Sequence, residues 1–207
     1  MDNKTPLLNI KTLVFFMIYL AILPTILFLS AGTINWTMGW IYSGIILAVS
    51  FISRLLVYKK DPSLLVERGQ FNQGEGTADW DRLLMVLVSI IFPILTLITA
   101  GLDYRFQWSS TIHLGVQVLA LAVLLLSTVI GTWAMVSNPN FSASVRIQED
   151  RNQVVIQSGP YRYVRHPGYS TSLASSLAFP FILGTLWAMI STFLMIGLVV
   201  LRTALED

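Results

Sequence analysis

Six mostly apolar stretches separated by polar breaks set the pattern of this chain: residues 7–31, 36–57, 83–101, 111–137, 170–183 and 185–201. A helix that crosses a membrane needs about 20 predominantly apolar residues, and the first four stretches come near or exceed that length. The first is too long for a signal-peptide core and lacks a small-residue cleavage site ahead of a soluble region, so it reads as a span. Pro24 and Pro93 place kinks in the first and third. The last two stretches form a tight hairpin at Gly184. Its first arm is short enough to be tilted, re-entrant or buried among its neighbours. Minimal loops at 32–35, 101–110 and Gly184 alternate with long polar connections at 54–82 and 138–169.

Composition turns that pattern into a fold class. Of 207 residues, 55% are hydrophobic and 12% charged, and mean hydropathy is +0.69. Soluble domains carry roughly 45–50% apolar and 25% charged residues. This chain therefore has too little polar surface for a soluble enzyme, a disordered segment or a nucleic-acid-binding module. We expect an all-α integral membrane protein of about six helical membrane segments. It forms a single multi-pass domain over residues 1–207, with an N-terminal hairpin (1–57) and a core (58–207). Cysteine is absent, which excludes disulfides, a thiolate nucleophile and Cys-ligated metal. The two histidines, His113 and His166, are too far apart in sequence to found a His-rich metal site.

Charge supplies the orientation. With both termini in the cytoplasm, all but Arg105 of the 13 Lys and Arg residues fall on the cytoplasmic side. Trp36, Trp40, Trp108 and Trp187 lie near span ends, where amphipathic rings favour the interface. Both long connections are then cytoplasmic, and long loops carry function more often than the scaffold.

Connection 54–82 reads as a helix extension, a break at Asp61-Pro62, a short amphipathic piece over 63–68 and a run with three glycines. It restarts at Asp79-Trp80-Asp81-Arg82, where Asp79 or Asp81 suits a helix N-cap. The segment is either an interfacial anchor or a lid over a cytoplasmic site. Connection 138–169 starts with a turn at Asn138-Pro139 and continues as a small hairpin, 144–148 against 153–157. It ends in Gly159-Pro160-Tyr161-Arg162-Tyr163-Val164-Arg165-His166-Pro167-Gly168-Tyr169. Tyrosine faces suit a flat ring or a sulfonium, and Arg and His suit a carboxylate or phosphate. Pro167 at a helix start would aim free N–H groups at a ligand. The same composition also serves a stop-transfer element with snorkelling arginines and an aromatic belt. At the end of the last span, Arg202 and Glu206 stand four residues apart, as an i,i+4 pair on a helix.

The Arg165-His166-Pro167-Gly168-Tyr169 segment, followed after a hairpin by Glu206-Asp207, closely resembles the isoprenylcysteine carboxyl methyltransferase and phospholipid methyltransferase superfamily. Weaker similarity extends upstream to 61–68, Trp80-Asp81-Arg82, 101–106 and 138–142. The resemblance implies a two-part S-adenosylmethionine site at the cytoplasmic face. Tyr161, Arg165, His166, Pro167 and Tyr169 match one half, and Glu206 and Asp207 the other. Family members usually continue past the paired acids with a segment that covers the cofactor, whereas this sequence stops at Asp207, so that either the sequence is truncated or the pocket is open.

The function expected is methyl transfer to a lipophilic acceptor, a carboxylate or an amine, with membrane lipids as surroundings. Arg165 or Arg202 would orient a carboxylate acceptor, whereas an amine would need a carboxylate or Tyr to accept a proton or stabilise the cation. No metal and no nucleic acid are expected. The alternatives are a non-catalytic, lipid-binding scaffold and a dinucleotide-dependent lipid reductase. A channel or transporter fits less well, since most ionisable residues lie outside the spans.

Overall fold

The computed structural model describes residues 10–60, 79–139, 141 and 156–206, and among these every regular element is helical. Helix α1 is Ile10–Ala31 and α2 is Thr37–Lys60. Helix α3, Asp79–Val86, runs through a π-helical turn, Leu87–Ile91, into α4, Phe92–Phe106. Helix α5 is Leu114–Ser137, α6 is Pro167–Leu183 and α7 is Ala188–Glu206. A 3-10 turn, Gly159–Arg162, precedes α6. The rods run up and down, so the starts of α1, α3 and α6 share one end of the bundle with the ends of α2, α5 and α7.

The apolar pattern located all six rods, and the differences from expectation have local causes. Four helical stretches are long and apolar enough to cross a membrane: Thr37–Lys60, Trp80–Phe106, Leu114–Ser137 and Ala188–Leu205. Among the described residues of α1 the apolar stretch is the shorter Leu20–Ala31, and α6 has 17 residues. The six expected crossings are thus four by length and composition. The third rod does not stop at Gly101 but continues to Phe106. Pro93 lacks an N–H, and the ladder widens around it: the Phe92 N–H reaches back five residues to Leu87 O. The expected hairpin falls mainly on residues 142–155, and the amphipathic piece with its glycine run on 61–78, both outside the described residues.

Helix α6 is central. Its Phe179 and Leu183 join Leu27, Trp36 and Leu97 in one apolar cluster, and its Ala178 and Ile182 join Ala120 and Leu124 in a second. The hairpin into α7 closes as a Schellman turn, with Gly184 N–H on Phe181 O at 3.2 Å and Thr185 N–H on Pro180 O at 2.9 Å. Helices α1 and α4 approach through Gly101. A Cβ there would collide with Ser30 Oγ and lie 2.7 Å from Leu27 O. Small residues at such contacts let lipid-embedded backbones come close.

At the end opposite the start of α6, a buried carboxylate ties the rods together. Asp103 is 1% exposed. It accepts from Ser109 N–H at 2.8 Å, Ser109 Oγ at 2.6 Å and Trp187 N–H at 3.2 Å, while Ser109 Oγ also accepts from Leu186 N–H at 2.8 Å. His113 caps α5, its Nδ1 accepting from Gly115 N–H at 3.1 Å. One histidine is therefore committed to helix capping.

Two outcomes follow from this packing. Gly101→Val should separate α1 from α4 and cost about 1–3 kcal/mol, as overpacking does, seen as a lower unfolding midpoint in detergent. Asp103→Ala leaves three donors without their acceptor. It should cost on the order of 3 kcal/mol, measured by denaturant titration of the detergent-solubilised protein.

Candidate functional site

The other end of the bundle gathers the polar chemistry. Lys59, Lys60, Arg82, Arg162, Arg165 and Arg202 lie on helix ends or turns there, whereas Arg105 sits at the Asp103 end. Lys60 Nζ donates to Val136 O at 2.6 Å, satisfying a carbonyl of the last turn of α5. Beyond Ser137 the chain leaves α5 through an extended Asn138.

The 3-10 turn is seated directly on that helix end. Gly159 has φ +60°, and a Cβ there would lie 2.5 Å from Ser137 Oγ and 3.2 Å from Trp133 Nε1. Both the backbone conformation and the space demand glycine. The turn then buries Pro160 and brings Tyr161 against α5, where Asn138 Nδ2 donates to Tyr161 Oη at 3.2 Å. Burial raises the Tyr161 phenol above its ordinary value of 10.0, and the Asn138 bond opposes that shift. The phenol is neutral at physiological pH, and since its oxygen accepts from Asn138, its own proton is left to donate.

Arg162, Tyr163, Val164 and Arg165 follow on the surface, all exposed. His166 then takes the position before α6, with φ −119° and ψ 67°, and Pro167 supplies the first helical residue. Proline suits that place because its missing N–H would be unpaired there anyway. Pro167 is buried, and Ser170 N–H bonds back to His166 O at 3.0 Å. Gly168 faces the Phe141 ring, 3.2 Å from where a Cβ would stand.

From His166 a chain of contacts crosses three helix ends. The His166 and Tyr169 rings stack at 5.5 Å between centroids, 13° from parallel. The Arg202 guanidinium, from α7, lies 5.6 Å over the Tyr169 ring. Arg202 also grips Asp81 of α3, Nε to Oδ1 at 2.6 Å and Nη2 to Oδ2 at 3.3 Å. Asp81 is 0% exposed and the Arg202 side chain 11%. A two-pronged pair of this kind uses the planar fork that only arginine offers.

The structure therefore brings His166, Tyr169 and Arg202 together, with Pro167 at the start of the same helix, and holds Tyr161 against Asn138 at the end of α5. Arg165 projects from the same strip. Glu206 closes α7 one turn past Arg202; its side chain and Asp207 lie outside the described residues. Asp81, one of the two residues that the sequence offered as a helix cap, forms an ion pair with Arg202. A signal for this existed. Two opposite charges enter apolar spans near the same membrane face, and charges so placed are usually paired.

The isoprenylcysteine carboxyl methyltransferase family model matches residues 118–207. No curated protein and no solved structure matches the chain. The matched segment holds α5 from its second turn, the 3-10 turn, α6 and α7, and with them every residue of the stacked cluster except Asp81. Over residues 118–207 the chain is similar to the isoprenylcysteine carboxyl methyltransferase family.

Proposed function

We propose that this protein transfers a methyl group from S-adenosylmethionine to a lipophilic acceptor at the cytoplasmic face of a membrane. The observation that carries the reading is the junction of the two matched halves: α6 starts and α7 ends at one cluster, His166–Tyr169–Arg202, inside the family segment. The gathering of the described basic residues at this end supports the cytoplasmic orientation. In this reading α1 and α6 cross the bilayer beside the four longer rods.

The side chains present suit that cofactor. When bound, it supplies a methyl group on a sulfonium sulfur, ready for in-line displacement without a nucleophile on the enzyme. Tyr161 offers a neutral phenol as a hydrogen-bond donor, His166 an imidazole, and Glu206 and Asp207 carboxylates for ribose hydroxyls or an ammonium group. Pro167 fixes the backbone from which the first turn of α6 faces the ligand. Arg165, exposed beside that turn, is the cation that orients an acceptor carboxylate. Arg202 has its guanidinium engaged by Asp81 and Tyr169, so its part is to hold the cluster rather than to touch the acceptor. Positioning and exclusion of water are what the chain must contribute.

Calorimetric titration with S-adenosylhomocysteine should show saturable binding, while the reduced dinucleotide should give none. The reverse result would assign a reductase. His166→Ala and Tyr169→Ala should each weaken S-adenosylhomocysteine by about tenfold, or 1.4 kcal/mol. Tyr169→Phe, which keeps the ring that His166 and Arg202 contact, should weaken it less. Unchanged affinity in both alanine variants would remove the site from this cluster. In a methylation assay with lipidated carboxylates, Arg165→Ala should raise KM for the acceptor by roughly tenfold.

A further inference from the structure

The geometry points to Asp81 as a positioning residue that holds the two halves of the site in register, an inference that rests on the cofactor reading above. Asp81 lies outside the family-matched segment and 121 residues before its partner. It is fully buried in the first turn of α3, so it is closed off from solvent and from any acceptor. Its carboxylate takes Arg202 through two donors at once, which fixes both the place and the tilt of the guanidinium plane.

That plane covers Tyr169, and Tyr169 stacks on His166. The same arginine stands one helical turn before Glu206. Fixing Arg202 therefore sets the end of α7 against the start of α6 by a contact from a third helix. Without the carboxylate, the guanidinium loses the two bonds that set its tilt, and its place over the Tyr169 ring is no longer fixed from α3.

The test uses the full chain in detergent or nanodiscs, with two readouts. Asp81→Asn keeps the volume and removes the charge. In nitrogen-15 histidine spectra, where His113 and His166 are the only two signals sources, it should shift the His166 ring resonances and leave those of His113 in place. An unmoved His166 overturns the inference. The second readout is S-adenosylhomocysteine affinity, expected to fall about tenfold in Asp81→Asn. Because a broken buried pair can unfold the protein, the double variant Asp81→Leu with Arg202→Met is measured too. Apolar replacement of a whole buried pair usually restores stability. A merely structural role predicts that this double variant binds as the wild type does, and that result also overturns the inference. A folded double variant that still binds about tenfold more weakly supports it. If the wild type itself fails to bind while Asp81→Asn moves the His166 signals, the cofactor reading fails and the register role of Asp81 stands.

Discussion

A carboxylate and a guanidinium shut away from water at a bundle end have few places to go except to each other. Removing one partner of such a pair leaves an uncompensated charge, at a cost of roughly 3–5 kcal/mol. In this protein the constraint falls on Asp81 and Arg202. Their mutual grip fixes where α3 begins relative to where α7 ends, and the Tyr169 ring beneath the guanidinium extends that constraint to α6. The polar end of the bundle is thus organised from inside, and the candidate site sits on the result.

The opposite end uses the same device with a different chemistry. Asp103 is as well hidden as Asp81, but backbone N–H groups and the Ser109 hydroxyl, rather than a cation, satisfy it. Together with the Schellman turn at Gly184, it locks the tip of the α6–α7 hairpin to the end of α4. Helices α6 and α7 are consequently held at both ends by carboxylates from the α3–α4 rod. The apolar clusters between fill the space, with α6 contributing to both.

What could be read from the sequence was what depends on nearest neighbours along the chain. The six apolar rods and the helix start at Pro167 rest on local composition and proline chemistry. So does the strip from Gly159 to Tyr169, whose density of aromatic and cationic residues marks it without any fold. The pairing of Asp81 was not legible because its partner is 121 residues away, and no local pattern connects them. The extension of the third rod to Phe106 was missed for a similar reason. Asp103 and Arg105 read as a loop by polarity, whereas donors from Ser109 and from the distant Trp187 make the buried carboxylate tolerable. The π-helical turn at Leu87–Ile91 likewise reflects how the ladder accommodates Pro93, which the sequence announces only as a kink.

The length of α6 carries one more implication. Its 17 residues rise roughly 25 Å, against about 36 Å for the 24 residues of α5 at its side. Gln117 of α5 bonds to Ile182 near the far end of α6, so the shortfall is taken up at the His166 end. A bilayer with a hydrocarbon core of about 30 Å is thicker than this central rod. Such hydrophobic mismatch is relieved by local thinning, at fractions of a kcal/mol per ångström. In the proposed reading, in which α6 crosses the bilayer, membrane thickness becomes a variable to which this rod is coupled, because thinning around it would bring the headgroup layer toward its first turn.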